Sequence, residues 1–65
     1  MKLLIYERRT EKEKSLRELS KLTGITRSTL NNYENGKTSP TIHQLEKIAE
    51  ALNIKITDLF ESDFK

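Results

Sequence analysis

Ser15 to Gly36 reads SLRELSKLTGITRSTLNNYENG, and its punctuation predicts two short helices joined by a tight turn at Gly24. Ser15 is suited to cap the first helix, and Glu18, three residues on, to reach back and complete a capping box. Leu16, Leu19 and Leu22 are expected to form the buried edge of that helix. Thr23-Gly24 ends the run, because glycine accepts the left-handed backbone that a helix C-terminus commonly requires. Ile25 plugs the corner and Thr26 caps the second helix. That helix runs from Arg27 through Glu34 and stops at Asn35-Gly36.

At about 100° per residue, the second helix turns Leu30 and Tyr33 inward, with Thr26 and Glu34 beside them. Ser28, Asn32 and Asn35 lie on the opposite side, flanked by Arg27, Thr29 and Asn31. A face meant only for solvent is usually covered by Glu and Lys, whereas Ser, Thr and Asn are poorer helix formers. These side chains suit base edges instead. Asn pairs bidentately with adenine, Arg with guanine, and Ser or Thr with several partners or the thymine methyl. Arg27 also stands at the helix N-terminus, the end that recognition helices bring closest to the bases. The residues thus point to reading of a DNA groove. The competing class is a protein-binding helical module, such as the antitoxin of a toxin pair, in which aromatic and aliphatic anchors would be expected on that face.

Working outward, periodicity places a first helix over about Lys2 to Lys12, and Lys37-Thr38-Ser39-Pro40 is a short loop. Thr41 with Gln44 offers a second capping box, opening a fourth helix in which Ile42, Leu45, Ile48, Ala49 and Leu52 recur at helical spacing. Asn53 closes it. Ile54 and Ile56 lead into a short fifth helix with Leu59 and Phe60 inward. Ile54-Lys55-Ile56 alternates, but three residues without a partner run are weak evidence for a strand. The reading is all-α, one domain over residues 1–65.

Composition narrows the classes further. A chain of 65 residues is near the lower limit for folding without staples. It has no cysteine, which removes disulfides, thiol chemistry and cysteine-ligated zinc. Apolar and charged residues each make up 34%, thin for a core but workable for helices with one buried stripe each. No apolar run approaches the roughly 20 residues of a membrane span, and MKLLIY lacks the long apolar core of a signal peptide. The expectation is a cytoplasmic protein, nucleoid-associated when bound to DNA. The net charge of +2 says less than its distribution. Arg8, Arg9, Lys12, Lys14, Arg17, Lys21 and Arg27 crowd the first half, and Glu46, Glu50, Asp58, Glu61 and Asp63 cluster later. For Arg8, Lys12 and Lys14 two readings stand, a solvated helix face or phosphate attraction.

An enzyme is not expected. His43 is the only histidine, and neither a metal constellation nor a Gly-rich phosphate loop is present. A triad of Ser28, His43 and Asp58 would lack a sizeable pocket and an oxyanion site. No catalytic residue, metal, cofactor, small-molecule ligand or membrane partner is assigned.

The order S-x-x-E-L-S-x-x-x-G-I-T-R-S-T-L-x-x-Y-E-N-G-K-x-x-P-x-x-x-x-L-x-K-I-A-x-A-L, within about Lys2 to Phe60, resembles the phage-repressor, Cro-like (XRE-type) helix-turn-helix family. The resemblance implies a compact five-helix bundle, a lambda-repressor-like DNA-binding domain, that binds operator DNA as a dimer. Carried over by position, it implies that Arg27, Ser28 and Asn32 read bases, with Thr29 and Asn31 beside them. Ser15, Arg17, Thr26, Asn35 and Lys37 would hold phosphates. It also supplies a partner for Glu34, which the helical wheel sets near the core, where an unpaired carboxylate is costly. In the family a first-helix arginine meets this glutamate, and Arg9 occupies the matching position. The simpler reading is that Glu34 reaches solvent at the helix end. Four departures stand out. Glu13-Lys14 replaces a Gly-apolar turn, Arg8 falls where a core residue is common, Leu16 replaces a polar residue that supports phosphate contacts, and Lys55 sits where a capping Ser is frequent at the start of the fifth helix.

The function expected from all this is a sequence-specific regulator of transcription binding double-stranded DNA. It would act as a repressor by operator occupancy, as a homodimer on a palindromic site. Ile56, Phe60 and Phe64 would form the dimer contact as an apolar patch.

Overall fold

The computed structural model describes residues 1–65. Its two best-defined helix starts follow from side-chain oxygens placed to receive orphan N–H groups. Helix α2 (Leu16–Thr23) begins where Ser15 Oγ accepts the Glu18 N–H at 3.0 Å and the Glu18 carboxylate accepts the Ser15 N–H at 2.9 Å. Helix α4 (Ile42–Leu52) begins with the same reciprocal pair between Thr41 and Gln44. Each box satisfies two donors that have no partner inside the helix. Helix α3 (Arg27–Glu34) starts at Thr26, whose Oγ1 accepts the Thr29 N–H at 3.2 Å.

The helix ends are equally local. Gly24 sits at φ 76° after α2, Gly36 at φ 74° after α3, and Asn53 takes the left-handed conformation at φ 56° after α4. A side chain on Gly24 would meet no neighbour within 4 Å, so its requirement is the backbone angle alone.

Helix α1 (Ile5–Glu11) is shorter than expected, because Lys2–Leu3 forms a strand, β1, rather than the first helical turn. β1 pairs antiparallel with β2 (Phe60–Glu61), Lys2 opposite Glu61 and Leu3 opposite Phe60. The Leu4 N–H extends the ladder to the Leu59 carbonyl at 2.8 Å. The expected fifth helix is a single 3-10 turn over Ile56–Leu59, opened by the Lys55 N–H donating to Asp58 Oδ2 at 3.1 Å. The chain then has to straighten to reach β1, which leaves no length for a regular helix. The all-α, five-helix expectation is therefore corrected to four α-helices, a 3-10 turn and a two-stranded ribbon joining the two ends.

Arg8 belongs to this closure. Its Nε donates to the Asp58 carbonyl at 2.8 Å, and one Nη meets Glu11 at 3.1 Å. Charge at a position suited to an apolar residue is accommodated because the guanidinium finds both a carbonyl and a carboxylate.

The core is one cluster in which Ile5, Leu19, Leu30, Ile48, Leu52 and Leu59 are fully buried. Two expected members are missing. Leu22 is 57% exposed and Ile42 is 71% exposed. In α2 the inward position one turn past Leu19 is Thr23, whose hydroxyl donates to the Leu19 carbonyl and accepts the Ile25 N–H, so a polar group is buried fully satisfied. Ile42 is the first residue of α4 and precedes the turn that meets the core. Among the N-terminal apolar residues Leu4 and Ile5 are buried, whereas Tyr6 lies on the surface.

Candidate nucleic-acid interface

Thr23, Gly24, Ile25 and Thr26 make the corner between α2 and α3. Ile25 is buried and anchors it, while the Thr23 hydroxyl receives its N–H. The corner brings the N-termini of both helices to one shallow groove lined by Ser15, Leu16, Arg17, Thr26, Arg27, Ser28 and Asn31. Arg17, Arg27 and the N-terminus of α3 offer this groove donors suited to phosphate, while at the start of α2 the Glu18 carboxylate already holds the Ser15 N–H.

Within α3, Leu30 and Tyr33 are buried, Arg27, Ser28 and Asn31 are exposed, and Thr29 and Asn32 are half-buried. The side-chain hydrogen bonds of this helix come from Thr29, Tyr33 and Glu34. Arg27, Ser28, Asn31 and Asn32 keep their donors and acceptors free, and none of their polar atoms is buried without a partner. A helix face with that much unused hydrogen-bonding capacity is chemically able to exchange water for base edges.

The expected phosphate ligands fall into two sets. Ser15, Arg17 and Thr26 share the groove above. Asn35 and Lys37 are exposed beyond the other end of α3, where Asn35 and Asn31 line a second groove with Tyr6, Leu16, Thr38 and Ser39. Thr26 is less free than its exposure suggests, since its hydroxyl donates to Thr29 Oγ1 at 2.8 Å. Each hydroxyl has one proton, so the bonded pair Thr26–Thr29 has a single hydroxyl proton left for a phosphate. Leu16 packs against the core as expected, half-buried, and its outer side lines both grooves.

Glu34 is paired. Arg9 Nε meets Glu34 Oε2 at 2.7 Å and Arg9 Nη2 meets Oε1 at 3.1 Å, with side chains 11% and 6% exposed respectively. Arg9 Nη1 donates to the Lys14 carbonyl at 2.8 Å, and the guanidinium lies 5.3 Å from the Tyr6 ring centroid. The Glu34 hydrogen bond raises the Arg9 pKa above its already high value, against the opposing pull of burial. The loop between α1 and α2 contains Glu13 at φ 56°, so the residue standing in place of glycine does adopt the glycine conformation.

At the C-terminal end, Ile56 and Phe60 are half-buried, with the Lys65 ammonium 5.5 Å from the Phe60 ring centroid, and Phe64 is 98% exposed. His43 is exposed, and no group of three His, Cys, Asp or Glu residues is placed to hold a metal ion. Asp58 is engaged by Lys55 rather than by His43. No helix is long and apolar enough to cross a membrane.

Residues 5–59 match the helix-turn-helix family. Two proteins of Archaeoglobus fulgidus, both described as uncharacterized HTH-type transcriptional regulators, are 36% identical over 63 residues, covering 97% of this chain and 89% and 90% of theirs. Among solved structures, the restriction-modification controller protein C.AhdI from Aeromonas hydrophila superposes with a TM-score of 0.82 at 34% identity, over 86% of this chain and 85% of that one. The N-terminal DNA-binding domain of SinR from Bacillus subtilis gives a TM-score of 0.80 at 31% identity, over 94% of this chain and 90% of that one.

Proposed function

The chain belongs to the helix-turn-helix family, and from that premise we propose that it reads a specific operator with the outer face of α3. At the level of the family it is a transcriptional regulator with a helix-turn-helix DNA-binding domain and not an enzyme. In the proposed complex Arg27, Ser28 and Asn32 contact base edges, with Thr29 and Asn31 at the margins of the same face. Ser15, Arg17 and Thr26 hold phosphates at one end of α3, and Asn35 and Lys37 hold them at the other.

The observation that carries this reading is the row of exposed and half-exposed polar side chains on α3 that make no bond within the protein. The same face has no aromatic or aliphatic anchor of the kind a protein interface uses, which favours DNA over a protein partner. Binding is proposed as a homodimer through Ile56, Phe60 and Phe64, supported by the near-complete exposure of Phe64. Two recognition helices about 34 Å apart then require a palindromic site with half-sites one helical turn apart. Occupancy of such a site represses transcription by exclusion. Selection of bound duplexes from a random pool tests the reading. It is expected to return one palindromic motif, and a pool with no enrichment would overturn it.

A further inference from the structure

Helix α3 is tied to the rest of the domain at its C-terminal end by two consecutive side chains that turn opposite ways. Glu34 goes to Arg9 on α1, and Tyr33, 4% exposed, goes to α4, where its phenol donates to Gln44 Oε1. That same oxygen accepts the Thr41 N–H at 3.2 Å. The donor assignment is forced. A backbone N–H can only donate, so Gln44 presents its carbonyl there, and a phenol facing the same oxygen must be a donor too. Capping α4 requires only the bond from Thr41. The second bond, from a residue 11 positions earlier, is unnecessary for a cap, and it is the side-chain hydrogen bond that joins α3 to α4. It closes the base of residues 35–41, the segment bearing Asn35 and Lys37.

We propose that Gln44 is a positioning residue for DNA recognition, deepening the reading above and resting on it. Packing of the Tyr33 ring resists separation of α3 from the core but tolerates sliding in the ring plane. A hydrogen bond from the ring's far end removes that freedom. Base contacts are made within the 2.7–3.2 Å window of N–H···O bonds, so a small roll of α3 takes Asn32 out of register.

The experiment titrates the wild type, Tyr33→Phe, Gln44→Ala and Gln44→Glu against two probes, the duplex enriched by the wild type from a random pool and a scrambled duplex. All titrations run at a temperature where circular dichroism shows each variant folded. Tyr33→Phe and Gln44→Ala are expected to weaken the enriched duplex about fivefold to tenfold and leave the scrambled one unchanged. Gln44→Glu, whose carboxylate accepts both bonds, is expected to match the wild type. Tyr33→Phe keeps the ring and decides the matter alone if Gln44→Ala does not fold. Unchanged binding by Tyr33→Phe, equal losses on both probes, or a Gln44→Glu variant as weak as Gln44→Ala would overturn the proposal. A wild type that enriches no duplex would instead overturn the DNA-binding reading beneath it.

Discussion

Arg9 grips Glu34 with two parallel hydrogen bonds across 25 residues of sequence, and both side chains are almost entirely withdrawn from water. Such a fork suits a guanidinium and not an ammonium. Removing one partner strands the other charge in a poorly solvated site, which costs more than the pair contributes. Arg9→Ala is expected to lower stability by about 3 kcal/mol, read from urea denaturation, with Arg9→Lys recovering only part of it. An Arg9→Ala variant that unfolds at the parent's midpoint would show the pair to be energetically idle.

Glu13 makes the opposite case, a residue whose side chain works against its backbone. It holds φ 56° in the loop between α1 and α2, a region where a Cβ atom crowds the following carbonyl. The loop is kept there by the Glu13 N–H bonding the Thr10 carbonyl and the Lys14 N–H bonding the Arg9 carbonyl, both at 3.0 Å. Glu13→Gly relieves the crowding and adds some freedom to the unfolded chain. The net effect is expected to be stabilising, by up to about 1 kcal/mol, as a rise in Tm. A lower Tm would mean the flexibility outweighs the strain.

What could be read from the sequence follows the reach of the signals. Ser15 with Glu18, Thr41 with Gln44, and Gly24 and Gly36 act within one turn, so the starts and stops of α2, α3 and α4 were legible. The Arg9–Glu34 pair spans a longer distance, but a carboxylate near a core demands a cation, and the family resemblance identified it. The β1–β2 ribbon was hidden because each strand is two residues long and its partner lies at the other end of the chain. Lys2–Leu3 alone is indistinguishable from the first turn of an apolar helix. Thr23 displaced Leu22 from the core for a related reason. Hydrophobicity ranks the leucine higher, and only the pair of hydrogen bonds to the threonine hydroxyl makes its burial favourable. Sequence pattern places Tyr33 in the core and Gln44 in a cap, and their contact belongs to neither role.

Glu18 gives the α2 cap a pH dependence. Its carboxylate accepts the Ser15 N–H, and that bond, followed by the Ser15 side chain, holds its pKa below the usual glutamate value. A carboxyl group depressed in the folded state contributes stability that is fully present above its unfolded value, about 4.3, and disappears as the pH falls through the lower folded value. Glu18→Gln keeps an acceptor but loses the charge. It is expected to melt below the parent at pH 7, with the gap closing on acidification. A constant gap in thermal melts from neutral to strongly acid pH would show that the charge is immaterial.

Arg8 couples the chain termini to α1 through the Asp58 carbonyl. Arg8→Ala leaves that carbonyl to Ile56–Leu59 and water and loosens the closure on which Phe60 and Phe64 are displayed. Because dimerisation is proposed through this segment, the variant is expected to dissociate at higher concentration than the parent in sedimentation equilibrium, and Phe64→Ser to do so with the closure intact. A parent that sediments only as monomer at high micromolar concentration, with and without operator, would remove the dimer from the reading.

Asn32 tests the recognition face itself. It is half-buried on α3, and its amide forms no bond within the protein, so truncation removes no hydrogen bond of the fold. A bidentate amide on adenine discriminates against other bases, and a phosphate contact does not. Asn32→Ala is therefore expected to lose ~1 to 3 kcal/mol on the enriched duplex, relax the preference at one base pair, and leave binding to scrambled DNA and its salt dependence in place. Equal losses on every sequence would assign Asn32 to the backbone and move base reading to Arg27 and Ser28.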